Sequence, residues 1–151
     1  MLTCTFFGHR ECYGLDDEVL QAAIEKLITT QGVDTFYVGN QGQFDAMVYR
    51  CLKQLQKRYP QIHIAVVLAY LPIGKREGEA LADSMYPEIE GHPRFAVERR
   101  NKWMIGESDY CVCYVNHTWG GAYKFAWQAK RHGLSIINLG KADLKGECDR
   151  K

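Results

Sequence analysis

The chain has 151 residues, 46% apolar and 25% charged, a balance that excludes a disordered or fibrous protein. Nineteen basic and 18 acidic residues give a net charge of +1, so bulk charge does not indicate duplex DNA or an anionic membrane as partner. No apolar run approaches the roughly 18 residues that span a bilayer, and the first residues show no signal-peptide pattern. We therefore expect a cytoplasmic protein with no membrane partner.

Alternating apolar runs and amphipathic segments predict five strands and four helices. In chain order, they are a strand over 2–7, a helix over 15–30, a strand over 35–38, a helix over 44–59, a strand over 62–69, a helix over 95–105, a strand over 110–115, a helix over 121–132 and a strand over 135–139.

Residues 70–93 interrupt this alternation, because prolines and glycines punctuate them without a sustained period. Long connections of this kind are often binding loops, so we expect a lid here, with a short helical turn over 79–84. We expect residues 1–140 to form one Rossmann-like domain and residues 141–151 a polar C-terminal tail that frays.

The order of elements predicts an α/β fold, because strands that alternate with helices are joined as parallel neighbours by helical crossovers. We expect a three-layer, Rossmann-like open sheet of about five mainly parallel strands with helices on both faces. Such sheets bind ligands outside the carboxyl ends of their strands, near the point where the strand order reverses.

The six cysteines predict neither disulfides nor a metal site. Cys4, Cys111 and Cys113 lie in apolar strand-like runs, and Cys51 lies on the apolar stripe of a helix. Two cysteines on one face of one strand do not form a CxxC knuckle. We expect reduced core residues, no metal and no cofactor.

Three glycine-containing turns follow predicted strands, over 8–10 (GHR), 39–45 (GNQGQFD) and 116–122 (NHTWGGA). Free backbone N–H groups at a helix start bind phosphate, and glycine lets an anion approach the backbone closely. The spacing is neither the GxGxxG dinucleotide motif nor the nucleoside triphosphate P-loop, so bound NAD and P-loop ATP hydrolysis are disfavoured.

Side chains beside these turns suit a nucleotide. Arg10 and Arg100 can serve as phosphate countercharges, although Arg100 can equally belong to a solvated basic face. Asp45 can accept from a ribose hydroxyl or merely favour the helix dipole, and Trp119 and Tyr70 can stack on a base or cover the edge of the core. The ligand-binding residues that the sequence predicts are Gly8, His9, Arg10, Gly39, Asn40, Gly42, Phe44, Asp45, Arg100, Asn101, Thr118, Trp119, Gly120, Gly121 and Ala122.

The same residues resemble a known superfamily. The run over 100–109 (RNKWMIGESD), an apolar strand and the glycine pair at 120–121 resemble the Lonely-Guy-like (SLOG) Rossmann superfamily. The runs over 7–10 (FGHR) and 39–45 are similar to its YpsA-like branch of small bacterial and phage-borne proteins. The resemblance implies a nucleotide or nucleotide-sugar site in which Arg100 holds the phosphate and the glycine pair cradles it.

The chain departs from the superfamily where its enzymes carry a catalytic glutamate. Tyr123, Lys124 and Trp127 stand in place of the glycine, threonine and glutamate of the enzymatic loop. Cleavage of an N-glycosidic bond loses its main charge stabiliser without that carboxylate. Glu98 and Asp45 are the acids that could substitute for it.

The leading hypothesis is binding of a nucleotide-derived ligand, for example of the ADP-ribose type, without an assigned catalytic residue. The alternative is an N-glycosidase acting on nucleoside monophosphates. A second alternative, single-stranded nucleic acid binding, is disfavoured by the near-neutral charge. A homodimer follows by analogy with the superfamily alone.

Overall fold

A computed structural model describes residues 1–70, 83–87 and 89–144. Its elements in chain order are β1 (Leu2–Gly8), α1 (Asp17–Thr30), β2 (Val33–Val38), α2 (Gly42–Arg58), β3 (His63–Val67), β4 (Ser84–Met85), a 3-10 turn (Pro93–Phe95), α3 (Ala96–Gly106), β5 (Tyr110–Tyr114), α4 (Gly120–His132) and β6 (Ser135–Asn138).

The strands form one open sheet in the order β4-β3-β2-β1-β5-β6, and every neighbouring pair is parallel. This confirms the predicted α/β, Rossmann-like fold. The strand order reverses between β1 and β5, because β2 to β4 extend from one side of β1, and β5 and β6 from the other. The carboxyl ends of β1 and β5 therefore mark the expected ligand crevice.

The number of strands differs from the prediction of about five, because β4 adds a sixth among the described residues. This strand has two residues and pairs with Val66 and Val67 of β3, so it is too short for a periodic signal. Ser84 lies in β4 rather than in the predicted helical turn, whose residues 79–82 lie outside the described residues. Residues 71–82 and 88 of the predicted lid also lie outside them.

The core occupies both faces of the sheet, as alternating side chains of β1 show. Phe6 stacks on Phe36 in the layer packed against α1 and α2. Phe7 points to the opposite face and stacks on Phe125 of α4, in the layer that also holds Met104 of α3. A strand buried on both faces reads as an almost continuous apolar run, which is why β1 could be predicted.

Local signals set the helix ends. The Asp16 side chain accepts a hydrogen bond from the Glu18 N–H and caps α1. Gly133 ends α4 in the left-handed conformation, with φ of 105°, which glycine adopts without steric cost at a helix C-terminus. The longest helix described, α2, is charged on one side, and none of the described helices combines the length and apolar character needed to cross a membrane.

The cysteines have the predicted surroundings wherever the structure describes them. Cys4, Cys12, Cys51, Cys111 and Cys113 are all buried, which confirms their assignment to the core. Cys148 lies outside the described residues.

The Asn138 side chain helps to tie the segment after β6 to the end of β5, together with the Ala142 N–H, which donates to the Val115 carbonyl at 2.9 Å. Asn138 Oδ1 accepts from the N–H groups of Val115 and Gly140, and its Nδ2 donates to the carbonyls of Val115 and Ala142. Residues 140–144, where the predicted polar tail begins, therefore hold the end of β5, and 145–151 lie outside the described residues.

Candidate functional site

A cleft of about 310 Å³ opens at the carboxyl edge of the sheet, beside the point where the strand order reverses. Of the predicted ligand residues, it is lined by Gly8, His9, Arg10, Gly39, Asp45, Arg100, Asn101, Gly121 and Ala122. The structure adds lining residues that the sequence analysis did not select: Gln41 of the 39–45 turn, and the apolar residues Phe6, Phe7, Val97, Met104 and Phe125. Asn40, Gly42, Phe44, Thr118, Trp119 and Gly120 were predicted but do not line the cleft.

Arg100 is the buried cation of this cleft, with 3% of its surface exposed. Its Nε donates to Asn101 Oδ1 at 2.7 Å, and its Nη1 donates to the Val67 carbonyl at 2.8 Å, with a longer contact of 3.5 Å to Asn40 Oδ1. These partners are all neutral oxygens. Burial lowers the pKa of the guanidinium, but an arginine remains charged at physiological pH.

No described carboxylate forms an ion pair with Arg100, and its Nη2 makes no hydrogen bond within the described part of the chain. A buried charge is costly unless it is paired. Arg100 therefore favours an anion in the cleft.

Asp45 stands close to Arg100, and Gly39 separates them. A Cβ atom at position 39 would lie 2.8 Å from Asp45 Oδ2 and 3.0 Å from Arg100 Nη1, so a side chain there would displace one of the two groups. Burial raises the pKa of Asp45 to about 6, although the hydrogen bond from the Gln41 N–H and the charge of Arg100 oppose the shift. Oδ2 is occupied by that N–H at 2.9 Å, and Oδ1 accepts no hydrogen bond from the described residues.

In the glycine turns over 8–10 and 39–45, backbone N–H groups form hydrogen bonds within the protein. At the start of α2, the Gln41 N–H donates to Asp45 Oδ2, and the Gln43 N–H donates to the Arg10 carbonyl at 2.9 Å. Gly42 has φ of 90°, and a Cβ there would lie 3.1 Å from the Arg10 Cα. The loop after β1 thus packs on the start of α2, which leaves fewer free N–H groups for phosphate than the sequence indicates.

Phe44 belongs to this packing and not to the cleft wall. Its side chain is 1% exposed, and a Cβ at Gly8 would lie 2.3 Å from its ring. Gly8 therefore makes room for Phe44 as well as lining the cleft.

The start of α4 differs from the start of α2, because the described residues give the N–H groups of Gly120, Gly121 and Ala122 no hydrogen-bond acceptor. Its N-cap residue, Trp119, makes no side-chain cap bond, and its first turn has no acidic residue. Gly121 and Ala122 of that turn line the cleft. Unpaired N–H groups and the positive end of the helix dipole favour an anion at this position.

Three aromatic rings form a stack that begins at His9 in the cleft wall and ends at Trp119, the N-cap residue of α4. His9 lies over His117, with ring centroids 4.1 Å apart, and His117 lies over Trp119 at 3.8 Å. His9 Nε2 accepts from the Asn116 N–H, while burial and the neighbouring His117 lower the pKa of His9, so its ring is neutral at pH 7. His117 was not among the predicted ligand residues. It could have been selected from the sequence because it lies in the turn over 116–122, which follows β5, the neighbour of β1.

The structure also decides which carboxylate reaches the cleft. Glu98 pairs with Lys124 at 2.7 Å and Lys102 at 3.4 Å, outside the cleft. Trp127, which the resemblance to the superfamily aligns with the catalytic glutamate, lines a separate surface depression on α4. Among the described residues that line the cleft, Asp45 is the only acid.

Comparison with known protein families gave no matching family, and a search among curated proteins found no match either. The resemblance of residues 3–139 to the SLOG superfamily stays a prediction.

Proposed function

We propose that the cleft binds a nucleotide or a nucleotide-derived ligand by its phosphate. The observation that carries the proposal is that two anion-binding groups line the same cleft. They are Arg100, a buried guanidinium that forms no ion pair with a described carboxylate although the charge of Asp45 lies near it, and the uncapped start of α4. Guanidinium groups and helix N-termini are both strong phosphate ligands.

The remaining lining residues suit the rest of a nucleotide. The negative charge of Asp45 disfavours phosphate at the α2 side, so the phosphate is expected beside Gly121 and Ala122. The unoccupied Oδ1 of Asp45 can then accept from a sugar hydroxyl. A volume of about 310 Å³ lies at the lower end of the range for small-molecule sites, as a nucleoside monophosphate requires.

The test is calorimetric titration with AMP, ADP-ribose, ribose 5-phosphate and inorganic phosphate, with adenosine as the ligand that lacks phosphate. We expect phosphate-bearing compounds to bind and Arg100→Met to weaken their binding about 10- to 150-fold, because hydrogen bonds to a charged group are worth about 1.5–3 kcal/mol. Arg100→Lys, which keeps the charge without the planar fork, should retain part of the affinity.

Arg99→Met is the matched control, since it removes the same charge one residue earlier on α3. The Arg99 guanidinium donates to the His92 carbonyl and does not line the cleft. If no phosphate compound binds, or if both methionine variants weaken binding equally, the proposal is wrong. Thermal unfolding of each variant separates lost binding from lost folding.

A second candidate function, hydrolysis of the N-glycosidic bond, is favoured by the position of Asp45. Its carboxylate can take a proton from a water molecule whose oxygen bonds to C1′, while the base leaves with the electrons of the C1′–N bond and is protonated by solvent. Its negative charge would also stabilise the positive sugar centre.

We expect this activity, measured as release of adenine from AMP, to rise with pH through about 6, because the carboxylate is the active form. Asp45→Asn should abolish release and leave AMP bound. Retention of activity by Asp45→Asn, or absence of base release from a broad panel of nucleotides, would remove this candidate and leave a binding protein.

A further inference from the structure

We propose that the open ring face of Trp119 is a stacking site for the base of the nucleotide, so that the protein discriminates nucleotides from sugar phosphates. The inference rests on the proposed function, because it assigns the part of the ligand that the phosphate site does not recognise. The observation behind it is the stack of His9, His117 and Trp119, because phosphate binding by Arg100 and α4 does not require these rings.

The first step is the exposure of Trp119, which leaves 67% of its surface open to solvent. Large aromatic side chains bury most of their surface in folded proteins. One face of the indole is covered by His117, with an interplanar angle of 16°. No other ring or cation of the described residues lies over the second face.

The second step is that the stack is held in place before any ligand binds. His117 Nδ1–H donates to the Trp119 carbonyl at 3.0 Å, and the Asn116 N–H donates to His9 Nε2 at 2.8 Å. The Lys141 N–H in turn donates to Asn116 Oδ1 at 2.9 Å. Binding to a preorganised ring loses little side-chain entropy, which favours affinity.

The third step is the distance to the phosphate site. Trp119 directly precedes Gly120, and neighbouring Cα atoms lie about 3.8 Å apart, so the backbone of Trp119 adjoins the N–H groups that are expected to hold the phosphate. The other end of the stack, His9, lines the cleft. The open face of Trp119 is at the end of the stack opposite His9 and outside the cleft, so the base would extend out of the cleft while the phosphate stays inside it.

A nucleobase fits this surface better than an apolar peptide would. The open surface is one flat ring face that extends a column of parallel rings, and a base adds a further ring to that column. Stacking on an indole tolerates any base, because each base has a π face. We expect purines to bind more tightly than pyrimidines, since their two fused rings cover more of the indole.

The experiment compares AMP with ribose 5-phosphate, which lacks only the base, by calorimetry on the full chain. We expect AMP to bind about 5- to 150-fold more tightly than ribose 5-phosphate. Trp119→Ala should remove that advantage and leave the affinity for ribose 5-phosphate unchanged, while Trp119→Phe should keep most of it. The control is Phe95→Ala, which removes another half-exposed aromatic ring, at the start of α3.

The outcomes separate the two proposals. If ribose 5-phosphate binds through Arg100 but AMP binds no more tightly, or if Trp119→Ala keeps the advantage of AMP, the stacking site is wrong and the phosphate site stands. If neither compound binds, the proposed function fails and the stacking site fails with it.

Discussion

Gly8→Ala is expected to lower the free energy of unfolding by about 1–3 kcal/mol, toward the upper end of that range. The added Cβ would lie 2.3 Å from Cγ of Phe44, whereas real Cβ contacts essentially never fall below 3.0 Å. Phe44 is 1% exposed and has no free volume into which to retreat. Urea unfolding monitored by circular dichroism measures the loss.

A double-mutant cycle tests whether the clash with Phe44 causes the destabilisation by Gly8→Ala. Phe44→Ala alone should cost about 3–5 kcal/mol through the cavity it leaves, but Gly8→Ala should cost far less in that background. Gly106→Ala is the control, because nothing lies within 4 Å of a Cβ there, and we expect it to be neutral or stabilising. Additive effects at Gly8 and Phe44 would contradict the packing role of Gly8.

Asn138→Ala is expected to destabilise the protein by about 2–4 kcal/mol, because it removes four hydrogen bonds at once. Two of them serve the N–H and carbonyl of Val115, which is completely buried. The carbonyl also accepts from the Ala142 N–H, so the Val115 N–H is the group that is left without a partner. A buried polar group that loses its partner incurs a desolvation penalty in addition to the lost bond.

The measurement is again urea unfolding, with hydrogen exchange at the Val115 amide as the local readout. Asn116→Ala is the matched control, since its exposed side chain accepts only from the Lys141 N–H, and it should cost less than about 1 kcal/mol. Equal losses for the two variants would contradict the role assigned to Asn138.

The helices and longer strands could be predicted from the sequence because their signals are local. The predicted helix over 15–30 is found as α1 at Asp17–Thr30, and the predicted strand over 135–139 as β6 at Ser135–Asn138. Apolar periodicity and caps depend on residues within a few positions of each other. Strand β4 could not be predicted, since its two residues are placed by pairing with β3.

The glycine turns show the limit of the same reasoning for the site. A glycine indicates that a side chain would not fit, but not which neighbour excludes it. At Gly8 that neighbour is the ring of Phe44, and at Gly42 it is the backbone of Arg10. The start of α4, in contrast, has no protein acceptor among the described residues.

The sequence by itself determined the parallel α/β arrangement and the edge of the sheet where ligands are expected, because strand and helix periods are local and parallel strands require crossovers. Only the tertiary structure decided that Arg100 is buried at the cleft without an ion pair to a described carboxylate, that Asp45 rather than Glu98 faces the cleft, and that three rings form one stack. His9 is distant along the chain from His117 and Trp119, and Asp45 lies on α2 whereas Glu98 lies on α3. The order of the strands and the packing of α3 and α4 bring them together, and no local pattern encodes those contacts.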